Sequence, residues 1–116
     1  MVASITAEVA LARLTADERR WVEDLRDRLR DAYGPRIRDL RLFGSRARGE
    51  SHEESDLDVL VLLDDGDFAT HMAIVDLAMS IAPELSAHVF DFERYHAPVS
   101  RATGFYKELR KESVRL

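Results

Sequence analysis

Gly44-Ser45-Arg46-Ala47-Arg48-Gly49-Glu50, followed by Ser55-Asp56-Leu57-Asp58-Val59-Leu60-Val61, is the stretch on which the reading of this chain turns. A Gly-Ser pair precedes a short basic segment, and a D-x-D pair opens an apolar run. A strand that ends in Gly-Ser and leads into a helix N-terminus is an anion site. The amides of the first turn are unpaired, and the helix dipole adds partial positive charge there. Gly44 lets the backbone approach phosphate closely. Ser45 adds a hydroxyl and caps a short helix through Ala47 and Arg48. Arg46 and Arg48 neutralise phosphate charge, which guanidinium does in bidentate fashion. Strand side chains alternate with period two, so Asp56 and Asp58 point the same way. Mg²⁺ is commonly held by one or two carboxylates plus phosphate oxygens. Two such ions can clamp the attacking and leaving oxygens of a phosphoryl displacement. Phosphate plus paired carboxylates therefore implies a divalent metal and a nucleotide.

Working outward, Thr15 and Glu18 have the spacing of a capping box and start a helix that runs to about Tyr33. Trp21, Val22, Leu25 and Leu29 recur along it at helical spacing and face a core. Gly34-Pro35 stops it. Residues before Thr15 form a short separate helix. Ile37 to Phe43 reads as a strand, although its alternation is imperfect, and Gly44 ends it. Residues 49–54 read as a polar loop. Asp58 to Leu63 is almost wholly apolar, as a central strand would be. Asp64 to Asp67 is a turn at the end of that strand away from the D-x-D pair. Phe68 to Ile81 is a helix with Met72, Val75, Leu77, Ala78 and Ile81 as its apolar pattern, ended by Pro83. Ser86 to Phe92 is a third strand. Thr103 to Lys111 is a last helix presenting Phe105, Tyr106 and Leu109. This order predicts an α/β (α+β) fold, a small mixed sheet with helices packed on one face.

The chain has 116 residues, 46% of them hydrophobic and 34% charged, which suits one globular domain over 1–116. A formal charge of −5 argues against direct nucleic-acid binding through a basic surface. The absence of cysteine excludes disulfides and thiolate metal sites. No apolar run approaches the length that spans a bilayer, and no basic leader precedes one, so no membrane association and a cytoplasmic location are expected. His52, His71 and His96 show no ligand spacing and read as surface residues.

Ser45 and Asp56 complete the pattern G-S-x10-D-x-D, the signature of the DNA polymerase β-like nucleotidyltransferase superfamily. The chain resembles that superfamily's minimal nucleotidyltransferase branch, short proteins often paired with a HEPN-domain toxin. Gly44 to Glu50 matches its GSRARGE form, and Ser55 to Val61 its SDLDVLV form. The resemblance implies a polymerase β-like fold with a mixed sheet flanked by helices. It implies transfer of AMP from ATP to a hydroxyl, with Mg²⁺ or Mn²⁺ as cofactor. The acceptor would be a tyrosine of a cognate HEPN toxin, and the protein its antitoxin. Asp56 and Asp58 would be the catalytic and metal-binding residues. Gly44, Ser45, Arg46 and Arg48 would bind the nucleotide. The family usually carries a third acidic residue on a later strand, and that position reads here as His88, or Ser86 in another register. Neither is acidic, and period two puts Asp91 on the face opposite His88. Two other functions fit the pattern. One is an antitoxin that neutralises its toxin by complex formation alone. The other is a transferase acting on a small molecule.

Overall fold

The computed structural model describes residues 7–44 and 56–116. Two helices come first, α1 (Ala7–Ala12) and α2 (Ala16–Tyr33). The hairpin strands β1 (Ile37–Phe43) and β2 (Leu57–Leu63) follow, then α3 (Phe68–Ile81) and β3 (Leu85–Asp91). Three short helices, α4 (Phe92–Tyr95), α5 (Pro98–Arg101) and α6 (Gly104–Glu112), lead to β4 (Val114–Arg115). The helix expected at Ser45 and the loop expected at 49–54 lie outside the described residues.

The capping box at the start of α2 is complete. The Glu18 amide donates to Thr15 Oγ1 at 3.1 Å, and the Thr15 amide donates to Glu18 Oε1 at 2.9 Å. Two amides that a helix end would leave unpaired are thereby satisfied. Gly34 closes the helix at φ 54, with its amide donating to the Arg30 carbonyl. A short 3-10 turn over Gly34–Arg36 then delivers the chain to β1.

The sheet order is β3-β2-β1-β4. β1 pairs antiparallel with both β2 and β4, while β2 and β3 are parallel. A parallel pair needs a crossover, and α3 supplies it. The imperfect alternation of β1 has a physical cause. Ile37 pairs with Leu63 but Asp39 with Leu62, so Arg38 is an extra residue in a β-bulge. The bulge shifts the phase of the strand. Ile37 therefore joins Leu40 and Leu42 on one face despite the spacing of three.

β2 is interior, as its composition led one to expect, and both of its faces are covered. Leu57, Val59, Val61 and Leu63 pack with Val22, Leu25 and Leu29 of α2 and Ile74 and Ala78 of α3. Leu60 and Leu62 pack on the opposite face with Tyr95 of α4 and with Tyr106 and Leu109 of α6. Helices thus flank both faces, which corrects the one-face expectation. A strand apolar on both faces, as β2 is apart from Asp58, needs cover on both sides.

Smaller departures have local causes. β3 spans Leu85–Asp91 rather than Ser86–Phe92, because Phe92 opens α4. α4 and α5 have four residues each and β4 has two, too short for periodicity to reveal. In α3 the buried residues are Ile74 and Ala78, whereas Met72 is 40% exposed. α3 is apolar on more than one side, so spacing alone does not select its inner face. Asp64 and Asp67 do more than turn the chain. Asp64 pairs with Arg38 at 3.1 Å. Asp67 accepts from the Thr70 amide at 2.8 Å and caps α3, and that hydrogen bond lowers its carboxyl pKa. Among the described residues no helix is long and apolar enough to cross a membrane.

Candidate active site

The hairpin register brings the two halves of the motif together. Phe43, the last residue of β1, is paired across the sheet with Asp58 of β2. Gly44 follows at φ 81, a conformation that suits glycine. A Cβ on Gly44 would stand 2.7 Å from Asp58 Oδ2. Glycine is needed there twice, for the backbone turn and for the space beside the carboxylate. Asp56 lies just before β2 and is exposed. Leu57 between the two aspartates is buried and donates its amide to the Glu84 carbonyl at 2.9 Å, which ties the D-x-D segment to the start of β3. Ser45, Arg46 and Arg48 lie outside the described residues.

β3 presents His88 to the same mouth. Asp58 is in register with Ser86, and Leu60 with His88. His88 Nε2 lies 3.1 Å from Asp58 Oδ1, with Ser86 Oγ 3.3 Å from the same nitrogen. An ionised carboxylate only accepts, so the Nε2 proton is donated to Asp58. One oxygen of Asp58 is thus held by imidazole while the other faces Gly44. Asp91 pairs with Leu63 at the other end of the strand. Among the described residues no group of three or more His, Cys, Asp or Glu side chains could hold a metal.

An aromatic wall stands beside the mouth, and the motif itself carried no sign of it. The Phe43 ring meets His88 edge-on at 5.0 Å between centroids, and Phe105 of α6 at 6.0 Å. Phe105 also lies 6.0 Å from Phe90 of β3, and the two are 42% and 38% exposed. Period two from His88 would have placed Phe90 on this face. Phe105 reaches it only through the return of α6 over the sheet. Of the histidines read as surface residues, His71 departs from that reading, His96 keeps it, and His52 lies outside the described residues. The His71 Nε2 is buried beside Gly66 without a hydrogen-bond partner. His96 is exposed, yet its ring packs on Phe92 at 4.7 Å and its Nδ1 is hydrogen-bonded to the Tyr106 hydroxyl at 2.9 Å.

Solved structures with this fold have related chemistry in their names. A "putative nucleotidyltransferase" from Sulfolobus solfataricus superposes with a TM-score of 0.58 at 20% identity, covering 91% of this chain and 84% of that one. A toxin-antitoxin structure with AMP-PNP superposes with a TM-score of 0.56 at 22% identity, covering 80% of this chain and 70% of that one. At such identities the likeness is one of fold. Two proteins of Methanocaldococcus jannaschii are similar in sequence. "Putative protein adenylyltransferase MJ1379" is 39% identical over 49 residues, 42% of this chain and 47% of its own length. "Putative protein adenylyltransferase MJ0604" is 40% identical over 48 residues, 41% of this chain and 48% of its own length. The matched segment spans about half the length of these relatives. The family model described as nucleotidyltransferase domain matches residues 22–112, from the first long helix to the end of α6. By that match, which takes in both strands of the mouth and the strand carrying His88, the chain belongs to the nucleotidyltransferase domain family.

Proposed function

We propose that the protein transfers AMP from ATP to a hydroxyl, and that the acceptor is a tyrosine of a HEPN-domain toxin for which it serves as antitoxin in the cytoplasm. The observation that carries the reading is the contact between Gly44 and Asp58. A carboxylate oxygen faces a backbone segment kept clear of any Cβ, where a phosphate-bearing substrate and a cation can meet. The names of the Methanocaldococcus relatives support AMP as the group moved. The toxin-antitoxin structure with AMP-PNP supports a protein acceptor.

Asp56 and Asp58 offer hard oxygen donors, which fit Mg²⁺ or Mn²⁺. Bound there, the ion would offset triphosphate charge and polarise the α-phosphoryl group. The chain's own residues do the positioning. His88 holds Asp58 Oδ1, so that Oδ2 keeps its direction toward Gly44. Gly44 and Ser45 bring backbone amides and a hydroxyl to the phosphates, and Arg46 and Arg48 bring charge. In the transfer, the acceptor oxygen bonds to the α-phosphorus and the bond to the β-phosphate bridging oxygen breaks. Pyrophosphate leaves with the electron pair, and the acceptor proton passes to water.

His88, at the position where the family resemblance implies an acid, favours a second reading, neutralisation of the toxin by complex formation. One assay separates the two. α-labelled ATP is supplied to the protein co-expressed with its HEPN partner. Label on the partner that is lost in Asp56→Ala/Asp58→Ala supports the enzyme. Neutralisation without label, persisting in that variant, supports the binding protein and ends the transferase reading.

A further inference from the structure

The open face of the sheet carries a second concavity, away from the D-x-D mouth. It is a cavity of 390 Å³ between β1–β2 and the helices α4 to α6. That volume lies within the range of small-molecule sites. Leu60 and Leu62 of β2 are its apolar floor, and the Tyr95 and Tyr106 rings stand 4.9 Å apart in its wall. Its charge is unlike that of the protein around it. Arg41, Arg101 and Arg110 line it against one carboxylate, Asp39. Three guanidiniums less one carboxylate leave a local charge of +2 on a chain whose formal charge is −5.

The carboxylate is already engaged. Asp39 accepts from Arg41 Nε at 2.8 Å and from Arg115 Nε at 3.3 Å. Arg41 also donates to Ser113 Oγ at 3.3 Å, so it is held in place at the cavity edge. Arg101 and Arg110 are different. Each is exposed, and among the described residues neither meets a carboxylate. His96 adds no charge at neutral pH. Desolvation lowers its pKa, Asp39 acts in the opposite sense, and Arg101, Arg41 and Arg110 lower it further. Burial raises the pKa of Tyr95, so its hydroxyl remains a neutral donor.

We propose that this cavity binds a small organic phosphate, a phosphate monoester on an aromatic or heteroaromatic ring, independently of the metal-dependent site. A phosphate monoester carries about −1.5 to −2 at pH 7, which matches the cavity's surplus. Guanidinium planes suit its oxygens in bidentate pairs. The leucine floor and tyrosine wall suit the ring. Neither Asp56 nor Asp58 lines the cavity, so the inference stands apart from the transferase reading.

The test is calorimetry and aromatic-region NMR on the full chain in EDTA, with phenyl phosphate as the probe. Saturable binding that shifts the Tyr95 and Tyr106 resonances is expected. Arg101→Ala/Arg110→Ala should weaken it by at least about tenfold, with an unchanged circular dichroism spectrum, since both side chains are exposed. Asp56→Ala/Asp58→Ala should bind as tightly as wild type. Phenol and inorganic phosphate separate the contributions of ring and charge, and each should bind more weakly than phenyl phosphate. The proposal is overturned by an absence of saturable binding up to millimolar probe. Equal affinity in the folded arginine double variant also overturns it, as does loss of binding in the aspartate double variant. Inorganic phosphate binding as tightly as phenyl phosphate would remove the ring from the ligand.

Discussion

The two faces of the sheet share one strand and are built on opposite principles. Leu57, Val59, Val61 and Leu63 of β2 point toward α2 and α3 and are sealed into a continuous core. Asp58, Leu60 and Leu62 point the other way, where a smaller cluster of Tyr95, Tyr106 and Leu109 covers only part of the surface. That incomplete cover leaves Asp58 and His88 at one end and the arginine-lined cavity farther along. A face filled to interior density has no room for a ligand. The chain seals its α2–α3 face into the larger core and covers its α4–α6 face only in part.

The comparison breaks most directly if the sealed face proves dispensable. Leu29 is fully buried in α2. Leu29→Ala should cost about 2–5 kcal/mol of folding free energy, measured by urea denaturation. AMP transfer per folded molecule should be unchanged. A variant that folds normally but has lost transfer would show that the faces do not divide their roles.

Asp58→Ala tests the other face. Metal-dependent ATP binding and transfer should fall by more than about 10²-fold, beyond what loss of an outer-sphere partner costs. Thermal unfolding should stay close to wild type, because the carboxylate belongs to the open face. Calorimetry with ATP and Mg²⁺ showing unchanged affinity would sink the site assignment.

His88 sharpens the comparison further. As the residue that orients Asp58, it should cost about 10–100-fold when replaced by alanine, with little change in melting temperature. His88→Asp should raise Mg²⁺ affinity, since an added oxygen ligand suits that ion better than imidazole. If His88→Asp instead unfolds the protein, the histidine serves packing against Phe43 and not the site.

The smallest effect concerns pH. The pKa of His96 is lowered in the folded state below its ordinary value of 6.5. Between the two values the unfolded chain binds more protons, so stability rises with pH in that window. The contribution is complete above about 6.5 and is lost as pH falls through the folded value. Denaturation curves of wild type and His96→Gln should therefore diverge below that pH. Parallel curves would mean that the imidazole titrates as in open chain.

Much of this architecture is readable from local chemistry. The capping box at Thr15, the stop at Gly34, the bounds of β1 and the interior place of β2 follow from signals within a few residues of each feature. So does the pairing of Gly44 with the D-x-D segment, because a hairpin returns a strand end to the next strand's start. The bulge at Arg38 shows only as a fault in alternation, and its phase shift needs the partner strand to define it. Asp58 with His88 is a tertiary fact. Thirty residues and a parallel crossover separate them, and one residue of register decides whether they touch. The aromatic wall and the arginine cavity depend on α4 to α6 folding back over the sheet. Those helices are short, and their placement comes from burying Tyr95, Tyr106 and Leu109 on the second face of β2. Sequence alone determined the longer elements and the likeness to a nucleotidyltransferase, since both rest on near neighbours in the chain. Only the tertiary structure decided which side chains share a site, because that follows from register and packing between distant segments.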